Sequence, residues 1–323
     1  MQGKVSLERS AMTPVYVGID VCKERLDVYI HPVGLRLEFA NSPVGIKKLK
    51  RSLKAYEVAL VVMEATGKYH RAVHRSLHAD GLSIAVVNPL RSRLFAEAAG
   101  ALAKTDRVDC RMLAILGESL EPGAVAPAST LMESLQELLH CRSAASDAHT
   151  ALVNQLGETK VRLAAAEIKR QIRAAETAME NLDAEIQRLI DADPCLARRM
   201  TILISIPGVG PATAIALIVG LGEIGSLSAK QAAMLVGLAP IACDSGQSSG
   251  PRHIRGGRAQ VRRALYMAAM SAARHNPELK IFYERLLAKG KLEMVALTAV
   301  MRKLLVLANS LVRENRMWEP HHA

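Results

Sequence analysis

Nine apolar residues, Val161, Ala165, Ile168, Ile172, Ala175, Met179, Leu182, Ile186 and Leu189, follow one another at alternating spacings of four and three. Only a helix aligns such positions on one stripe, and a stripe kept up through successive heptads must be covered along its length. Upstream, Leu131, Leu135, Leu138, Ala145, Leu152 and Leu156 keep a similar rhythm, broken at Arg142 and His149. Two long helices are therefore expected, as an antiparallel hairpin or a dimerising coiled coil. Such a spacer pairs or separates functional domains and carries no chemistry itself. It divides the 323 residues into an N-terminal domain, 1–127, coiled-coil helices, 128–193, and a C-terminal domain, 194–323.

The two flanks differ in pattern. In the first, Val15-Tyr-Val-Gly-Ile-Asp20 is a short apolar run ending in an acid, and 25–30 and 35–39 read as strands joined by the turn His31-Pro-Val-Gly34. Val58-Ala-Leu-Val-Val-Met63 has the continuous apolar character of a buried parallel strand and ends at Glu64. Helices at 44–55, 69–79, 89–99 and 106–120 and a strand at 83–87 complete an α/β pattern. The last flank is mainly helical, punctuated by glycine. The fold class is thus α/β plus α. Aromatic residues make up 3% of the chain against 50% hydrophobic, so its cores are built of aliphatic side chains.

Net charge is +11. Such an excess speaks of partners, with nucleic acid first among them and a merely soluble basic protein as the plain alternative. Scarce aromatics disfavour single-strand binding by base stacking and favour duplex backbone contacts. The five cysteines, at 22, 110, 141, 195 and 243, have no zinc-site spacing and fit a reducing cytoplasm. The apolar stretch 212–221 is too short to span a bilayer, and residues 1–14 lack an apolar signal core, so no membrane partner is expected.

Asp20 and Glu64 each close an apolar strand. If those strands are parallel neighbours, both carboxylates emerge at one sheet edge, where α/β proteins place their sites. Asp106 and Asp109 share one face at a helix start. Four carboxylates converging this way suit Mg²⁺ or Mn²⁺. Each acid also has an ordinary explanation, as a strand-end turn residue or as a partner of the helix dipole.

Taken together, Gly18-Ile-Asp20, Glu64-Ala-Thr-Gly67, Asn88-Pro89 and Lys104-Thr-Asp-x-x-Asp109 resemble the DEDD domain of the insertion-sequence transposases of the IS one-ten family, relatives of pilin-gene invertases. The resemblance implies a RuvC-like domain of ribonuclease H fold. It also implies that Asp20, Glu64, Asp106 and Asp109 form the metal-binding tetrad.

In the C-terminal domain, Ile206-Pro-Gly-Val-Gly210 reads either as a helix-hairpin-helix turn, with Gly208 and Gly210 approaching a phosphate backbone, or as a tight helix connection. From Ser245 to Pro277 there is no acid, while Arg252, Arg255, Arg258, Arg262, Arg263 and Arg274 crowd the same stretch. With Lys104, all of these but Arg274 are candidate nucleic-acid contacts. A serine in a Gly/Ser-rich loop such as 237–257 is ordinarily a turn residue. The family resemblance changes that. Gly237-Leu-Ala-Pro240, Asp244-Ser245-Gly246 and Arg262-Arg-Ala-Leu-Tyr-Met267 are similar to the family's C-terminal transposase domain. The resemblance makes Ser245 the nucleophile, with Ser248, Ser249 and Tyr266 as rivals.

The resemblance implies a DNA recombinase that cuts and rejoins donor and target duplexes through a phosphoserine link. A serine needs a base or a metal to activate it, and with no base evident beside Ser245 the carboxylate-bound Mg²⁺ is the economical activator, making one composite site of the two domains. The resemblance also implies a guide (bridge) RNA and dimers pairing into a tetramer. Two rivals stand beside this reading: a metal-dependent nuclease or junction resolvase with no covalent intermediate, and a non-enzymatic nucleic-acid-binding protein.

Overall fold

The computed structural model describes residues 13–65, 67–101, 106–242, 244–245, 248–250 and 252–320. The chain divides into two compact units, Met1–Ala128 and Ser129–Ala323.

The N-terminal unit is built on one five-stranded sheet. β1 (Val15–Val21), β2 (Arg25–His31) and β3 (Leu35–Ala40) form an antiparallel meander. β4 (Val58–Glu64) joins the other side of β1 in parallel, and β5 (Ile84–Val87) joins β4 in parallel, giving the order β3-β2-β1-β4-β5. The central strands alternate which face each residue serves. Val17, Ile19, Val61, Met63 and Ile84 pack beneath α1 (Pro43–Leu53) and α2 (His70–Ala79), with Leu49, Leu53, Val73 and Leu77. Leu60, Val62, Ala85 and Val87 serve the opposite face, against Leu113 and Leu116 of α4 (Asp106–Leu120). α3 (Pro89–Ala98) also packs on α4. β4 and β5 are apolar on both faces because both are covered, as parallel strands are.

The C-terminal unit is almost wholly helical. α5 (Thr130–Glu158) and α6 (Arg162–Asp191) form an antiparallel hairpin. The two breaks in the α5 rhythm meet acids on α6: Arg142 pairs with Asp183 at 3.1 Å and His149 with Glu176 at 3.3 Å. Seven residues forward on α5 correspond to seven back on α6, so these polar partners mark the hairpin's register. At its base, Leu135, Ile186 and Ile190 enter the main core.

That core is closed by α7 (Pro194–Ile204), α8 (Pro211–Gly220), α9 (Ala229–Val236), α10 (Ala259–His275), α11 (Pro277–Ala288) and α12 (Glu293–Glu314). Every residue of α8 from Thr213 to Val219 is buried. α12 is long and apolar enough to cross a membrane by length and composition alone. Its stripe Ala296, Val300, Leu304, Leu305, Ala308 and Leu311 is nevertheless buried in the helical core. Asn309 on the same helix accepts from the Gly225 amide and donates to the Leu227 carbonyl, both at 2.8 Å, satisfying the turn before α9.

Candidate functional site

β1 and β4 run parallel with Ile19 level with Met63, so Asp20 and Glu64, next along each strand, leave the sheet at one edge. Alternation then decides the face. Ile19 and Met63 point toward α1 and α2, so the two acids take the α4 side. α4 can lie there because residue 18 is glycine. A Cβ on Gly18 would stand 2.0 Å from the Cys110 carbonyl oxygen and 2.5 Å from the Ala114 nitrogen. Asp109, the residue before Cys110, is carried to the same side.

Glu64 and Asp109 line one cleft of about 330 Å³, together with Pro89, Leu90, Ser92, Arg93, Ala96 and Met112. Asp20 stands one strand over on the same face. The buried Cys110 thiol is pushed up to about 11, mainly by burial, then by the negative charges of Asp27 and Asp20. The Asp20 carboxylate is therefore close enough to α4 to be felt there. The Asp106 backbone opens α4, while its side chain lies outside the described residues, as do Lys104 and Thr66. Among the described residues no three His, Cys, Asp or Glu side chains gather as a metal-binding group. The donor set at this edge is nonetheless all carboxylate, which fits a hard divalent cation.

Two residues at this edge escaped the sequence reading. Ser92 is buried on α3 and donates to Glu64 Oε1 at 2.5 Å, with the Pro89 carbonyl at 3.0 Å as a second neighbour. Asp27 stands opposite Asp20 in the β1–β2 register, and Arg25 binds its carboxylate at 2.8 Å. The alternation of Leu26, Val28 and Ile30 already places Asp27 on the face away from the apolar core. For Ser92 the sequence holds no signal, since its partner is 28 residues distant. Ser92→Ala leaves the bonded carboxylate oxygen without its donor. The expected cost is about 1–3 kcal/mol in urea denaturation, with Ser92→Thr recovering part of it. An unchanged midpoint would refute the contact.

In the C-terminal unit, the segment expected as an irregular loop contains a short ribbon. β6 (Asp244–Ser245) pairs antiparallel with β7 (Ser248–Ser249), Ser245 opposite Ser248. Pairing satisfies backbone groups that an open loop would leave to water. The side chains of Ser245, Ser248 and Ser249 lie outside the described residues, as does Gly246. Ile241 and His253 bridge below the ribbon through two backbone hydrogen bonds, 2.9 and 3.3 Å.

The arginines expected at nucleic acid divide into two groups. Arg262 Nη1 donates to the carbonyls of Val236, at 2.9 Å, and Gly256, at 2.5 Å, closing the base of the loop. Arg258 donates to the Gly220 carbonyl at 3.0 Å and to both Glu223 oxygens at 2.6 Å. Its guanidinium holds the Glu223 carboxyl below the usual carboxylate range. Arg263 reaches Asp147 of α5 at 2.9 Å across an exposed gap. Arg252 and Arg255 are exposed, with no ion pair among the described residues.

Of the two hairpin glycines, Gly208 has φ +101° and turns toward α10, where a Cβ would sit 2.6 Å from the Ala272 backbone. Gly210 caps α8 with nothing within 4 Å of its Cβ position. Tyr266 is partly buried against the helical core, as expected for a packing residue.

Comparison with known proteins bears on both units. Residues 17–160 match the DEDD transposase model of IS110 elements, and residues 200–284 match the model of the transposase IS116/IS110/IS902 family. The pilin gene-inverting protein of Moraxella bovis is 30% identical over 325 residues, covering 95% of this chain and 98% of that protein. Its counterpart from Moraxella lacunata aligns to the same extent. An uncharacterized 43.6 kDa protein of insertion element IS110 from Streptomyces coelicolor is 33% identical over 140 residues, 43% of this chain and 34% of its own length. With a relative matched nearly end to end and family models on both units, the chain belongs to the IS110/IS116/IS902 family of transposases, enzymes of DNA recombination.

Proposed function

We propose that this transposase breaks and rejoins DNA through a covalent link to Ser245, with Asp20, Glu64, Asp106 and Asp109 holding a divalent cation. The observation that carries the proposal is the sheet edge where Glu64 closes β4, Asp20 stands next to last in the parallel β1, and Asp109 shares a cleft with Glu64. The five-strand order with β1 at the centre supports assigning this unit to the RuvC-like ribonuclease H fold. A bound Mg²⁺ or Mn²⁺ would supply Lewis-acid stabilisation of charge on the scissile phosphate.

The chain's own residues perform the transfer. Ser245 Oγ bonds to phosphorus and the displaced strand leaves as a free hydroxyl. The Ser–O–P bond conserves the phosphodiester energy, so a second strand's hydroxyl can displace the serine without a nucleotide cofactor. A ribbon clamped at its base by Arg262 and the Ile241–His253 bridge supports such a role, because a nucleophile must be held in line with the bond it breaks. Lys104, Gly210, Arg252 and Arg255 are assigned to the phosphate backbone. Arg258, Arg262, Arg263 and Gly208 serve that surface through the intramolecular contacts described above. The family resemblance further assigns a guide RNA, an assembly of dimers into a tetramer, with the hairpin α5–α6 as a coiled-coil spacer, and a reducing cytoplasm, to which the free cysteines conform.

The test is a denaturation-resistant protein–DNA adduct. Protein, Mg²⁺, DNA carrying the element ends and RNA transcribed from its flank should give one. Ser245→Ala and Asp109→Ala should abolish it, a loss of at least about 10³-fold for a nucleophile that defines the mechanism. Cleavage without an adduct, undiminished in Ser245→Ala, would replace the recombinase by a metal-dependent nuclease.

A further inference from the structure

The sheet of the N-terminal unit has two covered faces of opposite electrostatic character. The α4 face holds the carboxylates. On the other face lie α1 and α2, packed side by side over the same apolar cluster and joined where Lys50 meets Asp80 at 2.7 Å. Residues 41–56 and 65–79, which contain these helices, carry eight Lys and Arg and no Asp or Glu. The remainder of the unit has ten Lys and Arg against thirteen Asp and Glu. The net positive charge of the unit therefore lies in this layer, behind the acidic edge.

Within that layer, Lys47, Lys48, Arg51 and Lys54 are exposed along α1 and have no ion pair among the described residues. Arg75 of α2 is exposed beside them and Arg71 half-buried. A solvated helix face normally intersperses acids at i+3 and i+4, which stabilise it. Here Asp80 at the end of α2 answers Lys50 alone, and the remaining cations accumulate like-charge repulsion that a polyanion relieves. α1 has 11 residues, hence a length of about 16 Å, which spans about five phosphates of one duplex strand. Neither helix carries a Phe, Tyr or Trp; of the layer's two tyrosines Tyr56 packs on the apolar cluster and Tyr69 alone, at the start of α2, is exposed, too few to stack successive single-stranded bases.

We infer that α1 and α2 form a second nucleic-acid surface, which takes the phosphate backbone of duplex DNA flanking the reacting site. It rests on the recombinase reading only for the identity of the duplex as DNA. Because the sheet separates this layer from the carboxylates, the phosphates it holds are not the ones cut. Its role is to anchor the substrate arm and set its direction.

The experiment is equilibrium binding of the full-length protein to a 30-base-pair duplex of arbitrary sequence, in EDTA, across a salt series (about 0.05–0.3 M, where counterion release dominates). The variant replaces Lys47, Lys48, Arg51 and Lys54 with Gln. Each lost phosphate contact should lower the slope of log affinity against log salt by about 0.9, so the four together should remove about 3.6. Lys47→Gln with Lys48→Gln alone should remove about half of that. This pair also keeps the test decisive if the quadruple variant melts early by circular dichroism. An unchanged slope in a folded variant overturns the inference, as does a loss confined to an RNA duplex of the same length. Binding in EDTA needs neither metal nor serine. A protein that binds through α1 but forms no adduct would sink the recombinase mechanism alone. One that forms the adduct with an unchanged slope would sink this surface alone.

Discussion

Gly18→Ala is expected to destabilise the N-terminal unit by about 4 kcal/mol, near the top of the range for a single substitution. The added methyl meets backbone, the Cys110 carbonyl at 2.0 Å and the Ala114 amide at 2.5 Å, and neither can rotate away. To relieve the clash α4 must back off the sheet, taking Asp109 from the cleft it shares with Glu64. Stability and the proposed metal-dependent adduct should therefore fall together. Gly117→Ala on the same helix is the control. Its methyl would meet side chains and no backbone, Val62 Cγ2 at 2.9 Å and Tyr16 Cδ1 at 3.4 Å. The expected cost there is about 1 kcal/mol. Urea denaturation of the two variants separates these outcomes. Equal midpoints would mean that α4 does not rest on β1 as described.

The second large effect concerns the turn between α7 and α8. Gly208→Ala combines a left-handed backbone, φ +101°, with a methyl 2.6 Å from the Ala272 backbone. The expected loss is about 3–4 kcal/mol, shared between strain and overpacking. Gly210→Ala meets nothing within 4 Å at φ −93°, so its stability should change by less than about 1 kcal/mol. The pair divides the hairpin's two readings between two residues. Gly208 packs in the helix connection, and under the proposed backbone role Gly210→Ala is expected to lower duplex affinity in a fully folded protein. Weakened DNA binding by a stable Gly208 variant, with none for Gly210, would reverse that division.

Much of the fold was written in local pattern. Four helices begin at a polar cap followed by proline: Ser42-Pro43, Asn88-Pro89, Asp193-Pro194 and Asn276-Pro277. Each cap accepts an amide hydrogen bond within three residues, a chemistry complete within a single turn. The period of two in β1 and β2, the apolar run of β4 and the heptad stripe of α6 are likewise properties of chain neighbours. So is the position of Asp20 and Glu64 at strand ends, which made a carboxylate edge a conditional inference.

Tertiary structure decided what depended on residues far apart in the chain. It made β1 and β4 parallel neighbours and so turned two strand-end acids into one edge. It chose a hairpin for α5 and α6, in which Arg142 and His149 meet Asp183 and Glu176 on the returning helix. It gave Ser92 to Glu64 and gave the close approach of Gly208 to Ala272. It turned Arg262 inward to close the base of the serine loop and Arg258 toward Gly220 and Glu223, although the composition of that stretch reads as one uniform basic face. The physical reason is common to all of these. Periodicity and caps are settled by bonds a few residues long, and the sequence alone determined them. A hydrogen bond or ion pair across tens of residues forms only where packing of the whole unit brings donor and acceptor together, and only the folded structure determined those.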